Sequence, residues 1–394
     1  MELVGERVRE AYAKELSARQ RFFPTVGVGT RFLAHDGRTQ ATEGNFLDVT
    51  KQSAFAGAAL TAEWEVGEAV YATLAARQRT CASVAAEEAG GEDAALKAGE
   101  AYLDLVRAEA SLAVAKDAVD LSQRIAKETE DKVGAGSGFA GDVLRAKAQL
   151  AHDRATVSLA AEARRTSAVR LAEILNLPPE VDLVPRDAIP IRFTLVAATD
   201  PEAMLIRDAL LSRADVREAD ALACAADKER DAARYAPLVP RVGVEASAGG
   251  LGRTYGDLSS SDDLRITLGW TIGSGGLFDT GRIAEADSRY RLASITSSRV
   301  RARVVREVRE AYAMLSERAR AIGSAEQGAR DATEALDLYR KRLTGAVGLP
   351  LEVVVAQETL TRARLDWIEA TVGYDKAQLR LLRALGGDRI SAGR

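Results

Sequence analysis

A glycine-rich turn between two helix-like segments occurs twice in the chain. The first copy reads KVGAGSGFAGDVLRAKAQL (132–150) and the second reads KRLTGAVGLPLEVVVAQETL (341–360). Matching residues such as Gly138 and Gly348 are separated by 210 positions. Nearer the start of each copy the separation becomes 206, between Trp64 and Trp270, as loops of different length would cause. The chain is therefore predicted to consist of two copies of one unit of about 190 residues.

Each copy contains alternating apolar and polar residues, which is typical of β-strands. In the second copy Leu264, Ile266, Leu268, Trp270 and Ile272 share one face of the predicted strand. The residues between them, from Arg265 to Thr271, form the other face. The polar segments AHDGRTQATEGN and GGLGRTYGDLSSSDD are predicted to be loops. Each unit should thus hold one long β-hairpin, over 22–66 and 238–273.

Helical periodicity follows each hairpin for about 60 residues. Apolar residues recur every seven positions, at Leu105 and Leu112 in the first copy and at Leu315 and Ile322 in the second. A heptad seam of this kind predicts supercoiled helices that pack closely.

The first repeat (1–176) comprises a helix, hairpin 22–66, long helix 68–133, tip turn 134–141 and returning helix 142–176. A waist segment covers 177–200. The second repeat (201–387) comprises helix 201–236, hairpin 238–273, long helix 280–343, tip turn 344–351 and returning helix 352–385, before a tail at 388–394.

Composition excludes several classes of protein. Aromatic residues make up only 5% of the chain, which favours thin layers of packed helices over a thick core. The 54 basic and 58 acidic residues give no basic patch, so nucleic acid is not an expected partner. No run of 18 apolar residues predicts a transmembrane helix. The segment MELVGERVREAYAKEL does not resemble a signal peptide.

Catalytic and metal-binding chemistry finds no support in the sequence. His35 lies in a turn-like segment and His152 on a predicted helix, so both are expected to be solvated. There is no phosphate-binding loop, no metal-ligand spacing and no catalytic triad. We therefore predict no enzymatic activity, no metal and no cofactor. Cys81 and Cys224 are candidates for a disulfide, with buried unpaired thiols as the alternative.

Four strands from one chain cannot close a barrel, and an open sheet edge is not viable in lipid. Closure requires further chains: two would give eight strands and three would give twelve. The face with Leu264 and Ile266 suits lipid, and the face with Arg265 and Thr267 suits water. Trp64 and Trp270 lie near strand ends, where interfacial aromatic residues belong. Ordinary packing of these two tryptophans in a core is the alternative interpretation.

The duplicated order of elements resembles the TolC-like outer-membrane efflux proteins. The resemblance depends on the FPTVGVG and VPRVGVE strands, the strand ends EWEVG and GWTIGSGG, the two glycine turns, and the helix ends EILNL and RALGG. It implies a mainly α fold with a membrane β-barrel: long helical hairpins forming a coiled-coil tunnel, and four β-strands per chain in a trimeric twelve-stranded barrel. It further implies a homotrimer in the outer membrane, a helical tunnel in the periplasm, a periplasmic adaptor and an inner-membrane transporter as partners, and export without chemistry.

One departure from the family concerns the N-terminus. Met1 aligns with Arg217, so about 15 residues that begin the second copy have no counterpart in the first. No export signal is recognised in the N-terminal segment. Outer-membrane localisation is therefore expected from the resemblance and not from any targeting segment.

The family resemblance assigns adaptor docking to the two tip turns. The residues concerned are Ser137, Gly138, Phe139, Val347, Gly348, Leu349 and Pro350. The alternative for the glycines is that they only permit a positive φ in the turn. Bulky substitutions at Gly138 and Gly348 are expected to abolish efflux if docking is correct.

Two acidic residues begin the returning helices. In the family, the position of Glu352 carries an acid at the tunnel constriction, where three copies favour cations over anions. Asp142 is its counterpart in the first copy. An acid in a first helical turn also interacts favourably with the helix dipole, and this alternative stays open. Val355 occupies the place of a second family acid, so the predicted acidic ring is weaker.

We therefore predict an outer-membrane exit duct of a tripartite efflux or type I secretion system. It would export small molecules, metals or proteins. The alternative is a structural or adaptor-like coiled-coil protein of the periplasm, whose helical hairpins would also show heptads.

Overall fold

The protein is mainly helical and carries one antiparallel β-sheet. The computed structural model describes residues 2–23, 25–136, 138–178, 180–187, 189–196, 201–345 and 348–387. The elements in chain order are α1 (Glu2–Gln20), β1 (Thr25–Gln40), β2 (Phe46–Trp64), α2 (Val66–Gly134), α3 (Ala140–Ile174), α4 (Glu202–Ser212), α5 (Ala214–Tyr235), a short 3-10 turn (Ala236–Leu238), β3 (Arg241–Gly252), β4 (Ser259–Gly269), α6 (Thr280–Thr344) and α7 (Pro350–Ala384).

The helix predicted over 201–236 is in fact two helices. Arg213 adopts an extended conformation (φ −62°, ψ 130°) between α4 and α5. Its side chain is almost fully buried and forms an ion pair with Glu307, and the hydroxyl of Ser212 donates a hydrogen bond to the carbonyl of Leu385 (2.7 Å). These partners are distant in the sequence, so helical periodicity alone could not predict the break.

Both hairpin loops are shorter than predicted. Strand β1 continues to Gln40, so the first loop is only Ala41–Asn45, and His35 is an exposed strand residue opposite Lys51. The second loop covers 253–258, where the Asp257 carboxylate accepts hydrogen bonds from the amides of Thr254 (2.6 Å) and Arg253 (3.3 Å). Both segments were predicted to be loops because they are polar. Pairing between the strands instead extends the strands into these polar segments.

The sheet order is β1-β2-β3-β4, and over Val242–Ala246 of β3 and its partners the register separates apolar from polar side chains on opposite faces. Leu60, Ala246 and Leu264 lie side by side across three strands. The neighbouring row on the opposite face contains Thr61, Glu245 and Arg265, where Arg265 Nη1 lies 3.0 Å from Glu245 Oε2. The predicted alternation is confirmed up to Gly269. Trp270 and Ile272, predicted as strand residues, lie beyond the end of β4.

The described chain forms two compact units, and neither coincides with one half of the sequence. We name residues 2–87 and 215–300 the sheet unit, and residues 88–214 and 301–387 the helical unit. The described apolar residues buried in the sheet unit are alanines together with Val8 and Val216. Small side chains let helix backbones approach closely, which agrees with the prediction of thin helical layers.

The helical unit buries larger side chains along the predicted heptad seam. Leu105, Leu315 and Ile322 are each at most 2% exposed. One cluster joins α2, α6 and α7 through residues that include Ile125 and Leu336, and a smaller one joins Leu105 to Ala168 and Leu171 of α3. The seam predicted from sequence is therefore the buried seam of this unit.

An irregular segment of the helical unit, residues 189–196, is held on α7 by side-chain hydrogen bonds. Gln378 Oε1 accepts the amides of Leu195 (3.1 Å) and Val196 (2.9 Å), and Asp375 Oδ1 accepts the amide of Phe193 (3.2 Å). Burial raises the pKa of Asp375 to about 6, although this hydrogen bond and the charge of Arg192 act in the opposite direction.

Candidate functional site

In each tip turn a glycine lies close to the residue five positions before it, Gly138 to Val133 and Gly348 to Leu343. A Cβ on Gly138 would lie 2.7 Å from Val133 Cγ2, and a Cβ on Gly348 would lie 2.9 Å from the amide nitrogen of Leu343. Neither glycine has a positive φ; in the first turn that conformation belongs to Gly136 (φ +77°). The interpretation that these two glycines permit a positive φ is therefore wrong, and lack of space for a Cβ is the physical reason for them.

The turns present large apolar side chains to solvent. Phe139 is 73% exposed and Leu349 is 61% exposed, each in an extended conformation directly before a returning helix. Pro350 occupies the first turn of α7, where its missing N–H costs no hydrogen bond. Ser137 and Val347, which were also predicted to dock an adaptor, lie outside the described residues. The described part of both turns thus offers an apolar surface.

Both predicted acids occupy the third position of their helices. Glu352 Oε2 accepts the backbone N–H of Leu349 (3.3 Å), and Glu352 Oε1 lies 3.9 Å from Arg342 Nη1. Asp142 Oδ1 lies 3.8 Å from Arg145 Nη1. The contact of Glu352 with Leu349 is that of a capping box, and each acid has a nearby arginine. A role at a tunnel constriction needs further chains and stays a prediction.

One contact near the tip turns was not predicted from the sequence. It is a hydrogen bond from a lysine of α2 to the backbone of α6. Lys132 Nζ donates a hydrogen bond to the carbonyl of Leu343 (2.6 Å), close to the end of α6. A cation at this end of a helix is favoured by the helix dipole. The signal available in the sequence was the basic residue in the last turn of α2.

The two predicted interfacial tryptophans have equivalent surroundings in the sheet unit. The indole N–H of Trp64 donates to the carbonyl of Phe22 (2.9 Å), and that of Trp270 donates to the carbonyl of Leu238 (3.2 Å). Trp64 is half-buried and Trp270 is 55% exposed. Neither side chain is enclosed, so their packing in a core, the alternative interpretation, is not observed.

The cysteine predictions are wrong in both forms. Cys81 and Cys224 are unpaired and both are exposed. They lie on α2 and α5, whose contacts in the sheet unit bury alanines instead.

In the described ranges no group of three His, Cys, Asp or Glu side chains could hold a metal ion. Among the described helices, none combines the length and apolar character needed to cross a membrane.

Comparisons with known proteins identify the fold. Residues 205–387, just under half of the chain, match the family model described as outer membrane efflux protein. A membrane protein from Pseudomonas aeruginosa is 21% identical, with a TM-score of 0.84 over 98% of this chain and 90% of its own. The outer-membrane channel OprN is 21% identical, with a TM-score of 0.85 over 98% and 86%. The outer membrane protein VceC from Vibrio cholerae is 19% identical, with a TM-score of 0.82 over 98% and 92%.

No curated protein sequence matches the chain. At these identities the solved structures establish the fold alone. The family description and the names of OprN and VceC refer to outer-membrane channels or proteins and not to enzymes. The resemblance to the TolC-like outer-membrane efflux proteins is confirmed, by the family match over residues 205–387 and by the similarity of fold over 98% of the chain.

Proposed function

We propose that the chain is the outer-membrane channel of a tripartite efflux or type I secretion system, exporting small molecules, metals or proteins. The observation that carries this proposal is a sheet that is incomplete by itself. Among the described strands, β1 and β4 each pair on one side only. Unpaired edges of this length would aggregate in water and are not viable in lipid. Neighbouring chains must pair with them.

The apolar face of the sheet supports contact with lipid. Val28, Leu264, Ile266 and Leu268 are 63% to 83% exposed on this face. Exposed apolar side chains grouped on one face mark an interaction site and not a solvated sheet. Charged pairs such as Glu245 and Arg265 occupy the opposite face, which suits a water-filled lumen.

A homotrimer would then close a twelve-stranded barrel. Trp64 and Trp270 would lie at the membrane interface, since each indole has a hydrogen-bonded N–H and an incompletely buried ring. The helices would form a tunnel in the periplasm, with the tip turns docking on an adaptor bound to an inner-membrane transporter. Exposed Phe139 and Leu349 are the apolar contacts for that docking.

Glu352 and Asp142 would lie near the tunnel constriction in such a trimer. Because Arg342 approaches Glu352 to 3.9 Å, the negative field of three such carboxylates would be partly neutralised. A modest preference for cations is therefore expected, weaker than an unpaired acidic ring would give.

Reconstitution into planar lipid bilayers tests the channel directly. Detergent-extracted trimer should give stable conductance steps, and Glu352→Gln should reduce the ratio of cation to anion permeability while leaving the conductance steps present. Absence of conductance from a well-assembled trimer would contradict the proposal. That outcome would favour a structural or adaptor-like coiled-coil protein.

A further inference from the structure

The two open edges of the sheet carry opposite charges that the described part of the chain does not pair. Arg31 on β1 and Asp263 on β4 are both exposed, and among the described residues neither side chain has an ion-pair or hydrogen-bond partner. The next charged residue on the same face of β4, Arg265, is already paired with Glu245 (3.0 Å). The two edge charges are therefore available to a neighbouring strand.

Both charges lie on the same face of the sheet. Arg31 is opposite Phe55, Phe55 is opposite Leu251, and Leu251 is opposite Ser259. Directly opposite residues share a face, and so do residues that are two or four positions apart on one strand. Asp263 comes four residues after Ser259, so it lies on the face of Arg31. A β4 edge and a β1 edge can thus bring these charges together without turning either strand over.

The directions of the strands decide which edges can meet. All three pairings in the sheet are antiparallel, so β1 and β4 run in opposite directions. β4 of one copy can therefore pair antiparallel with β1 of a second copy that has the same orientation. An antiparallel pair of two β4 strands would instead invert the second copy. A ring of identically oriented chains uses both edges of every chain and leaves no edge open.

The lengths of the two strands limit the register between the copies. β4 has eleven residues and β1 has sixteen. A shift of one residue would move every apolar side chain of β4 to the polar face, so only steps of two keep the faces matched. Three such registers give every residue of β4 a partner in β1. They place Gly269 opposite Thr25, Gly27 or Gly29, and we name them the first, second and third register.

The charges distinguish the three registers. In the first register Asp263 is directly opposite Arg31 and no like charges face each other. In the second register Arg265 is opposite Arg31, and in the third register Asp262 is opposite Asp36. Opposite charges in facing positions stabilise antiparallel strands, whereas like charges destabilise them. The first register is therefore favoured.

The first register also continues an apolar row of the sheet. Ala62, Val244 and Ile266 lie side by side across β2, β3 and β4. Val28 of the second copy would follow Ile266 in this row. Val28 is 83% exposed and Ile266 is 69% exposed, so neither side chain is occupied by its own chain. Packing between facing apolar side chains is the second contribution to this register.

We propose that β4 of one copy pairs with β1 of the next copy in the first register, and that the ion pair between Asp263 and Arg31 selects it. This inference rests on the proposed channel assembly and specifies its contact between copies. Each interface would carry two ion pairs on the polar face, Glu245 with Arg265 and Asp263 with Arg31. Charges at this level of the lumen would then be balanced.

Disulfide crosslinking of the full-length protein measures the register. The background is Cys81→Ser, Cys224→Ser, because both native thiols are exposed. Ile266→Cys is combined with Val28→Cys for the first register, and with Thr30→Cys or Phe32→Cys for the second and third. Facing residues have Cα atoms about 4.5–5.5 Å apart, which a disulfide spans, and a displacement of two residues exceeds its reach of about 7 Å. We expect oxidation with copper phenanthroline to give covalent dimers and trimers at least about fivefold more with Val28→Cys.

Reversal of the two charges tests the ion pair. Arg31→Asp or Asp263→Arg alone places like charges opposite each other, and should lower the fraction of oligomer that survives SDS about two- to fivefold. The double variant Arg31→Asp, Asp263→Arg should recover the wild-type fraction. Lys51→Asp is the matched control, since it reverses a charge on the interior strand β2 and should leave the fraction unchanged. The crosslinking test keeps both charges, so it stays valid even where a single reversal prevents assembly.

Three results would overturn the proposal: strongest crosslinking with Thr30→Cys or Phe32→Cys, no recovery in the double charge variant, or no crosslinking in any pair. The last result would indicate that another component covers the strand edges. Bilayer conductance measured on the same preparations separates the two proposals. A conducting protein with a different register contradicts only the ion pair, and a ring crosslinked in the first register that does not conduct contradicts only the channel.

Discussion

At the scale of single residues, Asp375 makes the stability of the 189–196 segment depend on pH. Its pKa of about 6 in the folded protein is higher than in an unfolded chain because it is buried. The folded state therefore holds the proton more tightly, so stability is gained as pH falls through 6 and lost as pH rises. Between pH 7 and pH 5 the expected gain is about 1 kcal/mol. Hydrogen exchange of the Phe193, Leu195 and Val196 amides, corrected for intrinsic rates, measures it.

The Asp375→Asn variant provides the control for this residue. Its side chain keeps an acceptor for the Phe193 amide and has no ionisable proton. Protection of the three amides should then be the same at pH 5 and pH 7. If the wild-type amides are instead better protected at pH 7, the direction of the Asp375 effect is wrong.

The two tip glycines are expected to differ in their tolerance of alanine. At Gly348 the added Cβ meets backbone atoms, the Leu343 nitrogen at 2.9 Å and the Arg342 carbonyl carbon at 3.0 Å. At Gly138 the nearest atom is a methyl group of Val133, which a rotamer change can move. Gly348→Ala should therefore cost about 1–3 kcal/mol and Gly138→Ala less than about 1 kcal/mol. Thermal denaturation of the two variants in detergent compares them, and equal losses would contradict this argument.

At the scale of elements, strand β4 gives a direct test of its two faces. Ile266 and Thr267 are adjacent, both exposed, and on opposite faces. Arginine on a lipid-facing position costs about 2–4 kcal/mol near the bilayer midplane, whereas lumen-facing positions tolerate charge. Ile266→Arg should therefore reduce insertion into liposomes strongly, and Thr267→Arg should insert like the wild type. The fraction protected from protease after flotation measures this, and equal insertion would refute the assignment of faces.

Elements with local signals were predictable from the sequence, and their irregularities were not. The heptad at Leu105 and Leu315 predicts the long helices, because burial of one seam repeats every seven residues. The break at Arg213 depends on Glu307, nearly one hundred positions away. Strand β1 extends through a polar segment because of its pairing with β2. The hydrogen bond from Gln357 Nε2 of α7 to Asp153 Oδ2 of α3 likewise joins residues whose proximity no local pattern indicates.

At the scale of the whole molecule, the proposed trimer separates conduction from docking. In that trimer the barrel and tunnel would conduct ions by themselves, whereas export would also require the tip turns to bind an adaptor. Phe139 and Leu349 are exposed and bear no side-chain hydrogen bonds, so their replacement should leave folding intact. The double variant Phe139→Asp, Leu349→Asp places a charge in each of six turns of the trimer. Desolvating these charges against an apolar adaptor surface is costly.

We expect the conductance of this double variant in bilayers to stay within about twofold of the wild type. Export should fall at least about tenfold, because the loss of one contact worth about 1.4 kcal/mol already weakens affinity for the adaptor tenfold. Accumulation of a fluorescent substrate in cells that lack another outer-membrane efflux channel measures export. The apolar pair Phe139→Leu, Leu349→Met should retain both activities. Undiminished export by the charged variant would show that the tips do not dock through these side chains, and loss of conductance would show that they also support the tunnel.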